Sequence, residues 1–145
     1  MAAKDFFTEE QKYTIQKAIA DAELNTSGEI RVHIEEKCKG EALEAAVKKF
    51  NELKMDKTEL RNGVLFYLAV QDHKFAIAGD KGINEKVEKN FWDSIRDTML
   101  ENFKQEKFTE GLSIGIAMAG EKLKIHFPFQ SNDTNELTND VSFGN

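Results

Sequence analysis

The spacing of apolar residues changes several times along the chain, and each change marks an element. Ile15, Ile19 and Ala22 recur on one helical stripe. They follow Thr8, which stands three residues before Gln11 as in a capping box, with Phe7 at the staple position. The pattern predicts a helix that ends at Asn25-Thr-Ser-Gly28. From Glu29 to Glu36 the period is two: Ile30, Val32 and Ile34 alternate with Glu29, Arg31, His33 and Glu35. That is a strand with one buried and one polar face. Gly40 breaks into a second helix over about Glu41 to Lys54, with Ala42, Ala46, Phe50 and Leu53 inward.

Val64 to Val70 is a continuous apolar run, as expected of a strand covered on both faces, and Phe75 to Ala78 is a second, shorter one. Gln71 and Asp72 are the natural two-residue loop between them. Such a hairpin pairs Val70 with His73, sets Gly63 opposite Asp80 and sets Asn62 opposite Lys81. Beyond it, Asn84 is placed to cap a third helix reaching about Lys104, with Phe91, Ile95, Met99 and Phe103 four apart beside Trp92. Phe108 to Ile125 reads as a fourth helix. Its Gly111, Gly115 and Ala119 repeat every four residues, which suits close packing against a sheet. The tail from Phe127 is polar with spaced apolar anchors, and is expected to dock or fray without forming a core element.

The order α-β-α-β-β-α-α predicts an α/β fold. A parallel crossover joins the first two strands, a hairpin adds an antiparallel neighbour, and a small mixed sheet lies between helices on both faces. One domain covers residues 1–126 and a C-terminal tail covers 127–145. At 145 residues, 40% hydrophobic and 32% charged, the chain can bury a core of its own. No run approaches the roughly 20 apolar residues of a membrane helix, and the N-terminus lacks an apolar signal core. The expectation is a cytoplasmic monomer without a membrane partner. The net charge of −6 argues against nucleic acid. The lone Cys38 leaves no internal disulfide and fits a reducing compartment.

This topology gathers Ser27, Gly28, Glu29, Asn62, Gly63, Asp80 and Lys81 at one sheet edge, with the helix end at Asn84 adding backbone donors. Glu29, Asp80 and the Asn62 amide are hard oxygen donors, suited to calcium or magnesium and not to a transition metal. Turns demand the same residue types. His33 on the polar strand face, His73 in the hairpin turn and His126 at a helix end show no ligand spacing and are expected at the surface. Cys38 reads as a half-buried small hydrophobe, with a lowered thiol pKa as the alternative. Asp133, Asn135 and Asp140 lack the glycine of an EF-hand loop.

Three segments carry a resemblance: Thr26-Ser-Gly-Glu-Ile-Arg-Val-His-Ile, Arg61-Asn-Gly-Val-Leu, and the Gly79-Asp80 end of the third strand. Together they resemble the TPM domain family over about residues 6 to 126. Phe127-Pro-Phe and Asn135-Glu-Leu resemble its short, stand-alone bacterial branch. Relatives include thylakoid lumen proteins, some described as acid phosphatases. The resemblance implies an α/β sandwich and a divalent cation, commonly calcium, held by acidic residues near the second-strand motif. Asp80, Asn62, Glu29 and Glu59 are then the metal candidates. Many relatives carry Asp where this chain has Arg61.

Known phosphatase nucleophile motifs are missing: Cys38 has Glu44 where an Arg belongs, no histidine sits in Arg-His-Gly, and no Asp-x-Asp pair occurs. Metal-assisted hydrolysis remains, with Arg61 and Lys81 on the phosphate. The plainer role for Arg61 is a surface pair with Glu29 or Glu59. Two readings follow. One is a cation-binding interaction module whose partner is another protein; the other is a weak metal-dependent phosphatase acting on phosphomonoesters. With no nucleophile, acid and base poised together, the module is preferred.

Overall fold

A computed structural model describes residues 3–129 and 137–144. The capping box at Thr8 forms as the spacing predicts. Its hydroxyl accepts the Gln11 N–H at 3.1 Å, and the Gln11 side chain accepts the Thr8 N–H at 2.9 Å. Helix α1 (Glu9–Glu23) then buries Ile15, Ile19 and Ala22. Strand β1 (Glu29–Glu35) is followed by helix α2 (Ala42–Glu52), and strand β2 (Gly63–Ala69) lies parallel to β1 with Glu29 opposite Gly63. Strand β3 (Lys74–Gly79) runs antiparallel to β2 in the expected register, Val64 opposite Gly79. The Asp80 N–H donates to Gly63 O at 2.9 Å and extends that pairing by one residue.

The hairpin turn is longer than the two-residue loop expected. Val70 and Gln71 donate their N–H groups to Glu35 O and Glu36 O, each at 2.9 Å. They therefore follow β1 instead of turning at once toward β3. His73 closes the turn in the left-handed region, at φ 52°.

Two further expectations are corrected. The third helix does not run unbroken from Asn84. Asp80 caps a short helix α3 (Lys81–Asn84), and helix α4 begins only at Asp93 and ends at Lys104. Asn84 is the last residue of α3, its side-chain amide donates to Gly79 O at 3.0 Å, and the N-cap position of α4 falls to Trp92. The intervening chain is pinned by Phe91 standing edge-on to Trp92 at 4.7 Å. Trp92 in turn packs on Gly79, where an added Cβ would lie 3.0 Å from its ring. The tail also contributes more than expected. Strand β4 (Ser142–Phe143) pairs parallel with β1, giving the order β3-β2-β1-β4, and Phe127 and Val141 enter the core. The reason is the open edge of β1, whose unpaired backbone groups need a partner; the Gly144 N–H donates to Ile34 O at 2.8 Å.

Helix α5 (Phe108–His126) lies with α1 and α4 on one face of the sheet. Its small residues meet a helix, not the sheet. A Cβ at Gly111 would fall 2.5 Å from the Phe103 ring, and one at Gly115 would fall 2.4 Å from Met99 Sδ. Ile15, Ile19, Ile30, Ile34, Phe66 and Ile116 fill this main core. Burying each such side chain contributes about 1.5–3 kcal/mol. The other face is covered by α2, through Ala46, Phe50, Leu65, Tyr67, Ala76 and Ala78. That helix sits over β2 and β3 and hardly reaches β1. The α2 face of β1 is consequently polar, and Glu29 and His33 are buried on it.

Candidate functional site

Strand alternation puts Glu29, Gly63 and Asp80 in one row on the α2 face, at the end where β1 and β2 begin. Asp80 is 6% exposed, and its carboxylate is well occupied. Arg61 Nε donates to Oδ2 at 2.8 Å and Arg61 Nη2 to Oδ1 at 2.9 Å, a two-pronged pair. The Lys81 N–H adds a bond to Oδ1 at 2.7 Å. Arg61 thus pairs with Asp80, and not with Glu29 or Glu59 as its plainer reading proposed. That carboxylate holds the guanidinium pKa above its ordinary value, hydrogen bonding being the main cause. Arg61 also takes the left-handed backbone, φ 51°, which aims it back over the start of α3.

Glu29 is buried too, and its Oε1 accepts the N–H of Leu137 from the tail at 2.8 Å. The space between Glu29 and Asp80, above Gly63, is filled. A Cβ at Gly63 would meet Met55 O at 3.1 Å, the Phe50 ring at 3.5 Å and a Leu137 methyl at 3.7 Å. Asn62 is 1% exposed on the opposite side of the strand, its Nδ2 donating to Ser27 O at 3.2 Å. Its Oδ1 has no hydrogen-bond partner among the described residues. Glu59 lies exposed in the loop before Arg61. The four metal candidates therefore share a sheet end without sharing a pocket. Among the described residues, no three His, Cys, Asp or Glu side chains gather as a metal-holding group.

A cleft of about 420 Å³ opens beside Asp80, walled by α2 and α3. Asn51, Asp80, Lys81, Asn84 and Glu85 line it, together with the apolar Val47, Phe50 and Ala78. Asn51 and Glu85 carry no distinguishing signal in the sequence, because each belongs to an ordinary polar helix face. Asp133 and Asn135 lie outside the described residues.

The sequence also hid a second carboxylate. Glu23 Oε2 accepts the Ile30 N–H at 2.9 Å, and burial raises the carboxyl pKa from 4.5 to about 8, with neighbouring Glu29 adding to the shift. His33 is corrected from surface to interior: it is 1% exposed, between Ser142 Oγ at 2.9 Å from Nδ1 and Glu35 at 2.8 Å from Nε2. Tail and sheet neighbours cover what alternation marked as a solvent face, and burial lowers the His33 pKa. His73 is exposed and His126 half-buried. Cys38 is a buried free thiol whose N–H donates to Asp72 at 2.7 Å.

A four-stranded mixed sheet between α2 and the α1–α4–α5 layer, with a cleft opening beside Asp80 at one end, defines a small α/β sandwich domain. The TPM domain family matches residues 1–122, and the chain belongs to that family. It is similar to the BA42 protein of the psychrophilic bacterium Bizionia argentinensis, known from an NMR structure. The two share 48% identity over 97% of each chain, with a TM-score of 0.91. Two more distant NMR structures share the fold. The N-terminal domain of the cg2496 protein from Corynebacterium glutamicum has 15% identity, covering 89% of this chain and 79% of that one, TM-score 0.63. The N-terminal domain of a P. gingivalis protein has 15% identity, covering 88% and 84%, TM-score 0.69. No curated protein matches the chain. No helix among the described residues is long and apolar enough to cross a membrane.

Proposed function

We propose that this TPM domain is a non-enzymatic binding module whose cleft beside Asp80 takes a divalent cation, calcium ahead of magnesium, next to a protein-docking surface. The carrying observation is the 420 Å³ cleft with Asp80, Glu85, Asn51 and Asn84 on its walls. These are hard oxygen donors, the kind calcium accepts in variable number. The donor set differs from the one drawn from spacing, since only Asp80 is common to both. Arg61 is the built-in competitor: a carboxylate offers about four acceptor positions, and Arg61 with the Lys81 N–H already uses three. Cation affinity in this chain is accordingly modest. For the partner, Leu43 and Val47 leave an apolar stripe on the outer face of α2, 54% and 48% exposed, and Val47 also borders the cleft. The reduced, buried Cys38 agrees with a cytoplasmic setting.

The test is an NMR titration with calcium and then magnesium. Saturable shifts at residues 51 and 79–85 are expected. Asp80→Ala should weaken binding at least tenfold, and Arg61→Asp should strengthen it by exchanging the competing cation for a carboxylate. Absence of shifts at millimolar cation would overturn the reading. A second reading, phosphomonoester hydrolysis, is favoured by the same cleft, which is concave and has Lys81 on its wall. Turnover of p-nitrophenyl phosphate that requires the metal and is lost in Asp80→Ala would select it.

A further inference from the structure

A second cleft, of about 230 Å³, lies between α2 and the end of β1, on the half of the sheet that α2 leaves bare. Lys37 and Lys39 from the β1–α2 loop and Lys48 and Lys49 from α2 converge on it. At about 30 Å³ of liquid per water, it is roomy enough for several waters or one small ligand.

Its charge runs against that of the whole chain. The chain is −6 overall, yet four lysines face two carboxylates here, Glu35 and Glu52. Glu52 is neutralised by Lys49 at 2.8 Å, and Glu35 accepts from His33 at 2.8 Å. Lys37, Lys39 and Lys48 form no ion pair among the described residues, and all three are exposed. Three ammonium groups around one hollow repel each other, and a dianion between them relieves that repulsion. The floor supplies a neutral donor. Tyr67 is 4% exposed, stacks on His33 at 5.8 Å and hydrogen-bonds the Cys38 side chain, and burial raises its phenol pKa so that it keeps its proton.

We propose that this cleft is an anion site for a small phosphorylated molecule, with Lys37, Lys39 and Lys48 supplying the charge and Tyr67 a hydrogen bond. The volume of about 230 Å³ matches a small ligand seated between the lysines, whereas a polyanion would lie across the open mouth of the cleft. The site lies on the same face of the sheet as the Asp80 cleft but on the other side of α2, and does not depend on the cation reading.

The test uses the full-length protein in EDTA, titrated with inorganic phosphate and with glycerol 3-phosphate at constant ionic strength. Saturable shifts should concentrate at residues 35–39, 45–52 and 67. The triple variant Lys37→Gln, Lys39→Gln, Lys48→Gln should lose at least tenfold in affinity with an unchanged melting temperature, since these side chains are exposed. Tyr67→Phe should cost a few-fold. Shifts that follow ionic strength alone, or that persist in the triple variant, would overturn the proposal. So would heparin binding at the same residues more tightly than either phosphate, because that would mark an open polyanion surface.

Discussion

Replacing Glu23 with glutamine should flatten the alkaline side of the stability profile. In the unfolded chain this carboxyl ionises near 4.5; in the folded protein it holds its proton to about 8, burial being the main cause, partly offset by the Ile30 hydrogen bond, with Glu29 adding to the rise. Between those values the native state carries a proton that the unfolded state has lost, so stability falls as pH rises across the window. At about 1.4 kcal/mol per pH unit the ceiling is on the order of 5 kcal/mol. Glu23 is only half-buried, and solvent brings the effect to about 1–2 kcal/mol, or roughly 3–8 °C in Tm for a domain of this size. Ionisation sets Glu23 against Glu29, the two side chains that hold Asn139 and Leu137 of the tail. Glutamine keeps an oxygen for the Ile30 N–H but cannot ionise. Thermal melts of wild type and Glu23→Gln from pH 5 to 9 are the assay. His33 acts in the opposite direction, because its lowered pKa removes stability as pH falls below 6.5. Both proteins share that term, so it cancels in their difference. The wild-type Tm should drop by several degrees more than the variant's between pH 6 and 9. Parallel curves would refute the reasoning.

Two further outcomes follow from packing. Gly120→Val should destabilise the domain by about 1–3 kcal/mol in urea melts, because a Cβ there lies 2.9 Å from the Ala22 Cβ and 3.1 Å from Ala22 O. An unchanged midpoint would mean that α1 and α5 can separate freely. Deleting residues 141–145 should raise the His33 pKa toward 6.5 by uncovering β1 and removing the Ser142 contact. An imidazole titration by NMR that superimposes on the full-length curve would show that the tail does not bury His33.

Local patterns predicted the elements that draw their information from nearby residues. The Thr8 capping box, the stripe of Ile15 and Ile19, the apolar run of β2 and the hairpin register all depend on contacts within a few positions or on a strict period of two. That register alone sets Gly63 beside Asp80. Long-range partners were not legible. Asp80 could be placed at the sheet end, but its pairing with Arg61 depends on a left-handed residue aiming the guanidinium across the edge. The break between α3 and α4 was masked by a four-residue apolar stripe that continues through it, while Trp92 and Gly79 pack together from different elements.

Alternation marked one face of β1 as polar, and this much the sequence determined alone. Whether a polar face meets water depends on what lies above it. Only the tertiary structure decided that the tail covers Glu29 and His33, that Glu23 meets Glu29, and that α2 stands aside to leave four lysines around a hollow. Periodicity encodes which side of a strand a residue occupies; burial is set by a tail more than a hundred residues away, and charge proximity by how adjoining elements fold onto one another.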